Sequence, residues 1–342
     1  MSTPQSARTD SSSTESSSTD SRTTNSGSTE SRTADATPAR GVRRVRHELK
    51  MRLLQVRRVE HVTPRLLRVT LAGDDLEGFT SAAFDDHVKV FFPAPGQDKP
   101  DLPQLGPNGP TGPGGPDATD TPPAARRDYT PRRYDPATRE LDIEFALHGH
   151  GPAAEWAAQA TAGQYLGIGG PRGSMVMEGD FDGYLMVGDE TALPAIARRL
   201  DELPAGARVC VVAEVADAQE EQTFRTLADL TVSWVHRGAA HDAAHDAAHD
   251  AGDDAAAARA AVQAAAGDAA IGQAAAGDAV VAALRDLRLP DGDIYAWVAA
   301  ESSVAKAVRA YLVGERGLNK VWVKAAGYWR RGAEATHDKH ED

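Results

Sequence analysis

The 342-residue sequence contains one cysteine, Cys210. An intramolecular disulfide is therefore excluded, and so are zinc and iron–sulfur sites that need several cysteine ligands. Cys210 lies in the apolar run Val209-Cys210-Val211-Val212 and reads as a small core residue. No stretch reaches the ~18 apolar residues of a membrane-spanning helix. The first thirty residues have no apolar core and contain acids, unlike a signal or transit peptide. The cytoplasm is the expected location, with no membrane insertion. Positive charge is also in deficit, with a formal net charge of -13. The field of the whole chain therefore disfavours nucleic acid, and an anionic ligand must find a local basic patch.

What is present averages to a globular composition, 41% hydrophobic and 25% charged. Two domains fit this length. Residues 1–45 are rich in Ser and Thr and read as a disordered tail, with too little apolar surface to offset ordering entropy. Residues 46–180 hold short strands separated by turns: the run from Leu66 to Leu71, Val88 to Phe92, and the alternating Leu141 to Leu147, expected half-buried. One brief helix is expected over 152–160. This pattern predicts an antiparallel β-barrel, with a Pro/Gly-rich insertion at 94–125.

Residues 181–333 change character. Apolar strands at 184–187, 209–215, 232–235, 294–299 and 321–325 alternate with helical spacing, including Leu193, Ile196 and Leu200. Phe224, Leu227 and Leu230 predict a further helix, and Ser302 or Ser303 is the expected cap of the helix reaching Leu312. This is an α/β domain on a mostly parallel sheet, whose ligands belong at the carboxyl ends of the strands. An Ala/His/Asp-rich stretch at 239–280 interrupts it. His241, His245 and His249 have metal-binding spacing on a helix, but they read as solvated side chains of an Ala-rich low-complexity insertion, and no metal site is assigned. Residues 334–342 form a tail.

Five segments carry chemistry. In Arg127-Asp128-Tyr129-Thr130, Arg127 suits a phosphate, Tyr129 offers a flat face to a ring, and Thr130 can donate a hydrogen bond. In an extended strand, Arg127 and Tyr129 share one face and Thr130 points across. Leu147-His148-Gly149-His150-Gly151-Pro152-Ala153 joins a strand to a helix start, which suits a pyrophosphate; His148 fits a structural or a ligand-binding role. Gly170-Pro171-Arg172-Gly173-Ser174 reads as a tight turn lining a cleft. Gly188-Asp189-Glu190-Thr191 ends a strand and opens a helix, with the acids capping that helix or bonding a ribose. Gly327-Tyr328-Trp329-Arg330-Arg331-Gly332 follows the last strand, where aromatic rings can cover a cofactor and arginines can attract an anion.

Together and in this order, these segments and Asp86-His87-Val88-Lys89 resemble the siderophore-interacting protein family of ferric-siderophore reductases, in the ferredoxin-reductase-like superfamily. The resemblance runs from about Arg52 to Gly332. It implies a six-stranded FAD barrel followed by an NAD(P)H-binding sheet domain. Arg127, Tyr129 and Thr130 would hold the flavin; His148, Gly149 and Ala153 its diphosphate and adenosine side. Ser174, Gly188, Asp189, Glu190, Thr191 and Trp329 would border the flavin and nicotinamide. Lys89, Arg172 and Arg330 would receive a ferric siderophore or other ferric chelate. The cofactors are FAD with NADPH or NADH. Glu214 suits a ribose hydroxyl and Arg237 a 2′-phosphate, with the balance leaning to NADPH. A monomer is the default. The rival readings are a general flavin or ferric-chelate reductase and a non-catalytic siderophore-binding carrier.

Overall fold

The computed structural model describes residues 40–106, 109–111, 125–147, 151–237, 277–330 and 338–339. The 1–39 tail, most of the Pro/Gly-rich stretch, His148, Gly149, the His-Asp repeats and most of the 334–342 tail lie outside the described residues.

The first half holds strands β1 (Gly41–Arg46), β2 (Met51–Thr63), β3 (Leu66–Ala72), β4 (Val88–Phe91), β5 (Gln104–Gly106), β6 (Gly109–Thr111), β7 (Arg126–Tyr129), β8 (Pro131–Asp135) and β9 (Glu140–Ala146). Helix α1 (Pro152–Ala158) and strands β10 (Tyr165–Gly169) and β11 (Gly173–Glu178) follow. Seven of these strands form one antiparallel sheet in the order β7-β4-β10-β2-β3-β9-β8. β7 and β8 lie at its opposite edges, yet only Thr130 separates them in the chain. The sheet must therefore curl until its edges meet at Thr130. β7 and β8 are two halves of one bent strand, which makes a six-stranded barrel. Leu54, Val69, Val90, Ile143, Phe145 and Ile168 fill it.

Two expectations change here. β1 falls within the stretch expected to be a tail; its backbone pairs with β11 from Gly41 to Arg46. β9 was expected to bury one face and buries both. Its acidic face is covered by arginines: Glu140 pairs with Arg58 at 3.0 Å, Asp142 with Arg133 at 2.8 Å, and Glu144 with Arg68. Paired charge is what makes such burial tolerable.

The second half holds β12 (Gly183–Gly188), α2 (Leu193–Glu202), β13 (Arg208–Val215), β14 (Asp229–His236), α3 (277–286), β15 (Ile294–Glu301), α4 (Ser302–Gly314), β16 (Val323–Trp329) and β17 (Asp338–Lys339). The sheet order is β14-β13-β12-β15-β16-β17, parallel throughout except for β17. Both faces are covered, as a parallel sheet requires. Leu193, Ile196 and Leu200 of α2 pack on one face. Val280 and Leu284 of α3, with Val304, Val308 and Leu312 of α4, pack on the other. The last residues of the 239–280 stretch are thus the first turn of α3.

The helix expected at Phe224 to Leu230 is absent. Phe224 instead stacks on Trp234 at 5.9 Å, Leu227 is 76% exposed, and Leu230 belongs to β14. Neither serine caps α4. The carboxylate of Glu301 accepts from Ser303 N at 2.6 Å and Val304 N at 3.3 Å, while the Ser302 hydroxyl donates to the Trp329 carbonyl.

Helix α2 also ties the sheet to the barrel. Arg198 donates to the Ser81 hydroxyl at 2.8 Å, the Ser81 carbonyl at 3.0 Å and the Pro131 carbonyl at 2.9 Å. Asp201 pairs with Arg132 at 2.8 Å. Glu220, beyond β13, accepts from Thr63 Oγ1 and from Arg65 N at 3.0 Å in the β2–β3 turn. Arg198→Ala should lower unfolding free energy by roughly 2–3 kcal/mol, since it removes charge-assisted bonds and strips partners from inward carbonyls. Urea denaturation monitored by tryptophan fluorescence measures this; a change below about 0.5 kcal/mol would show that the latch carries no load.

Candidate functional site

The carboxyl edge of the parallel sheet is gathered by two adjacent acids. Gly188 ends β12, and a Cβ there would lie 2.4 Å from Ala192 Cβ and 2.8 Å from the Ala299 carbonyl. Glycine thus lets α2 start tight against the sheet. Asp189 follows, buried. Its Oδ1 accepts from Thr191 N at 2.9 Å and Thr191 Oγ1 at 2.5 Å; its Oδ2 accepts from Glu301 N at 3.0 Å and Trp329 Nε1 at 2.8 Å. One carboxylate therefore joins the ends of β12, β15 and β16. Burial, and then the charge of Glu190, push its pKa above the usual carboxylate range; the bonds from Thr191 and Trp329 oppose that shift.

Glu190 gathers the other two strands. Arg237, just past β14, donates to Glu190 Oε2 at 2.7 Å and also to Oε1. The same guanidinium lies 3.8 Å from Glu214 at the end of β13. Burial alone would lower the Arg237 pKa, but Glu190 and Glu214 outweigh it and hold the group charged. The expectation that Asp189 and Glu190 cap the helix start holds for Asp189, whose side chain accepts from Thr191 N and whose carbonyl accepts from Leu193 N in the turn that leads into α2; the expectation of a ribose bond needs correcting. Both oxygens of Asp189 are taken by four protein donors, and Glu190 is occupied by Arg237. The N-cap position of α2 is Ala192, which has no side-chain cap.

On the barrel side, β7 pairs with β4 so that Tyr129 faces Val88 and Arg127 faces Val90. Both valines are core residues, which puts Arg127 and Tyr129 on one face as expected. The Tyr129 ring packs 4.5 Å from Phe145 and keeps partial exposure. Burial of its hydroxyl pushes the pKa up. Thr130, at the seam, is 7% exposed, and its hydroxyl has no partner among the described residues. Ala153 sits in the first turn of α1, where backbone amides lack intrahelical acceptors. These groups fit FAD: a fixed aromatic ring, an unspent hydroxyl at the barrel seam, an arginine and open amides. α2 connects the two sides, because it begins at the 188–191 loop and holds Pro131 through Arg198.

Other expected site residues are placed differently. Ser174 is buried, and its hydroxyl donates to Asp86 at 2.6 Å, accepts from Ala82 N at 3.0 Å and bonds His47 Nε2 at 2.7 Å. With that capacity filled, Ser174 secures the 81–86 loop and has nothing left for a cofactor. Ser174→Ala should cost about 1–3 kcal/mol of stability without reducing the FAD content of the purified protein; an intact fold depleted of flavin would return Ser174 to the cofactor site. Lys89 pairs with Asp128 at 2.8 Å on the opposite face of β4 from Val88 and Val90. Arg172 and Arg330 are exposed and form no ion pair among the described residues. Trp329 lies against the Asp189 loop, with its Nε1 donating to Asp189 Oδ2. Arg198 and the contact of Asp85 with Lys324 and Trp297 have no local sequence signal, because each joins residues far apart in the chain.

Comparison with known proteins finds two matching family models. The siderophore-interacting FAD-binding domain matches residues 55–175, and the siderophore-interacting protein model matches 181–271 and 246–332. The NADPH-dependent ferric-chelate reductase of Escherichia coli (strain K12) is 33% identical over 289 residues, 84% of this chain and 95% of that protein. The ferric vibriobactin reductase of Vibrio cholerae is 30% identical over 293 residues, 84% of this chain and 93% of that protein. A crystal structure of a siderophore utilization protein from T. fusca aligns with a TM-score of 0.68 at 35% identity, covering 87% of this chain and 98% of that one. The fold is thus that of a two-domain flavoprotein reductase, an FAD-binding barrel with a parallel nucleotide-binding sheet. The chain belongs to the siderophore-interacting protein family.

Proposed function

We propose that this protein is an FAD-dependent ferric-siderophore reductase that uses NADH or NADPH and releases iron as Fe(II). The observation that carries the reading is the likeness to named ferric reductases through both domains, over 84% of the chain. Bound FAD supplies the redox chemistry, taking hydride from the nicotinamide and passing electrons singly to ferric iron. The chain's own residues bind and orient. Tyr129 and Thr130 hold the flavin at the barrel seam, Arg127 meets its phosphates, and the α1 amides continue that contact. Asp189 fixes the Trp329 indole at the carboxyl edge. Arg172 and Arg330 attract an anionic ferric chelate, and Lys89 contributes less because Asp128 neutralises it. Hard oxygen ligands hold Fe(III) far better than Fe(II), so reduction loosens the metal. We place the protein in the cytoplasm, where reduced nicotinamide nucleotides are supplied, and as a monomer, since the site residues come from one chain.

The test is anaerobic. FAD-loaded protein is reduced with NADH or NADPH and mixed with a ferric siderophore, while flavin absorbance and chelator-trapped Fe(II) are followed. Flavin reoxidation matched by Fe(II) is expected, and weaker chelate binding at higher salt. Equal rates with chelates of unrelated shape would favour a general ferric-chelate reductase. Chelate binding without NAD(P)H oxidation would favour a carrier.

A further inference from the structure

The cluster of Glu190, Arg237 and Glu214 bears on which nicotinamide nucleotide is used. Counting strands from β12, the sheet order is 3-2-1-4-5, with the change of direction between β12 and β15. In sheets wound this way the dinucleotide lies across the carboxyl ends, and an acid at the end of the second strand bonds the adenosine ribose 2′-hydroxyl. Here the second strand is β13, and its penultimate residue is Glu214. Arg237, from the end of the third strand, would be the natural receptor of a 2′-phosphate, but it is bonded through both terminal nitrogens to Glu190 and lies 3.8 Å from Glu214. The side chains of Arg237, Glu190 and Glu214 are only 15%, 11% and 8% exposed.

Two carboxylates around one guanidinium leave a net negative charge where water screens poorly. A ribose hydroxyl can donate to a carboxylate in that field. A 2′-phosphate carries a charge of about −1.5 to −2 and would meet repulsion. It could take Arg237 only by stranding Glu190, and an unpaired buried carboxylate is strongly unfavourable. The one other cationic side chain described between β13 and β14, Arg225, is exposed on the connection.

We infer that this chain prefers NADH to NADPH, and that Glu190 and Glu214 set the preference by occupying Arg237. This rests on the reading as a nicotinamide-using reductase, and it reverses the lean towards NADPH drawn from Arg237 in the sequence alone.

The test is binding, independent of turnover. The FAD-loaded full chain is titrated calorimetrically with NAD+ and NADP+, and with 5′-AMP and 2′,5′-ADP, a pair that differs only in the 2′-phosphate. At least tenfold tighter binding of NAD+ and of 5′-AMP is expected. Glu214→Gln and Glu190→Gln should each shrink that ratio at least threefold, with the gain on the phosphorylated ligands. Glu214→Gln leaves the Glu190–Arg237 pair in place, so it keeps the test alive if Glu190→Gln does not fold. Tighter binding of NADP+ by the unsubstituted protein, or a ratio that Glu214→Gln leaves unchanged, overturns the inference and spares the reductase reading. Binding of neither dinucleotide overturns both.

Discussion

Asp189→Ala is expected to cost about 2–4 kcal/mol of stability and to slow reduction of bound flavin at least a hundredfold. The side chain accepts four hydrogen bonds, two from Thr191 and one each from Glu301 N and Trp329 Nε1. Alanine supplies no acceptor. The Glu301 amide is then buried without a partner at the start of α4, and the strand ends of β12, β15 and β16 lose their common tie. Part of the cost is offset, because the carboxylate is itself penalised by burial and by Glu190. The rate effect comes from Trp329. Its indole is oriented by Asp189, and an error near 1 Å at such a position can cost about a hundredfold in rate. Urea unfolding reads the first effect and stopped-flow flavin reduction the second. Trp329→Phe separates them, keeping an aromatic ring but losing the bond to Asp189, so it should lose rate with less loss of stability. Flavin reduction at the unsubstituted rate in Asp189→Ala would show that this knot only holds the fold.

Much of the scaffold was legible because local pattern and tertiary structure agree. Val88 to Phe91, Leu141 to Phe145 and Tyr184 to Val187 read as strands and are strands. The glycine at 188 and proline at 194 mark a strand end and a helix start, where α2 begins. What the sequence hid is pairing at long range. Glu190 and Arg237 are 47 residues apart, and Asp189 and Trp329 are 140 apart. No periodicity reports such a bond, so Asp189 and Glu190 looked available to a ligand. The alternation in β9 assigned its faces correctly but not their burial, because the covering arginines come from β2, β3 and β8. Phe224, Leu227 and Leu230 share a helical spacing by coincidence: one stacks on Trp234, one faces water and one enters β14. Glu301 was passed over as a cap because serine is the commoner choice, while Ser302 is committed to the carbonyl of Trp329.

The barrel side of the site admits an equally sharp test. Tyr129→Ala should weaken FAD binding by ten- to a hundredfold, so that the protein purifies largely without flavin. Aromatic stacking on a flat heterocycle is worth about 1–3 kcal/mol, roughly 5- to 150-fold in affinity, which brackets that range. The Tyr129 ring is held against Phe145 at 4.5 Å and stays partly exposed, a pre-set surface that a ligand need not order at its own cost. Removing the ring also opens a gap beside Phe145, with a stability loss of roughly 2–3 kcal/mol for a partly buried aromatic. That loss alone could deplete flavin, so Tyr129→Phe and Thr130→Val serve as controls. The first keeps the ring and should retain both stability and flavin. The second keeps the volume of Thr130 and removes only the hydroxyl that has no partner among the described residues, so the apoprotein should be as stable as the unsubstituted chain while FAD binds several-fold more weakly. Calorimetric titration of apoprotein with FAD measures all three. If Tyr129→Ala binds FAD with unchanged affinity, the flavin does not rest on β7, and the assignment of Arg127, Tyr129 and Thr130 to its site fails with it.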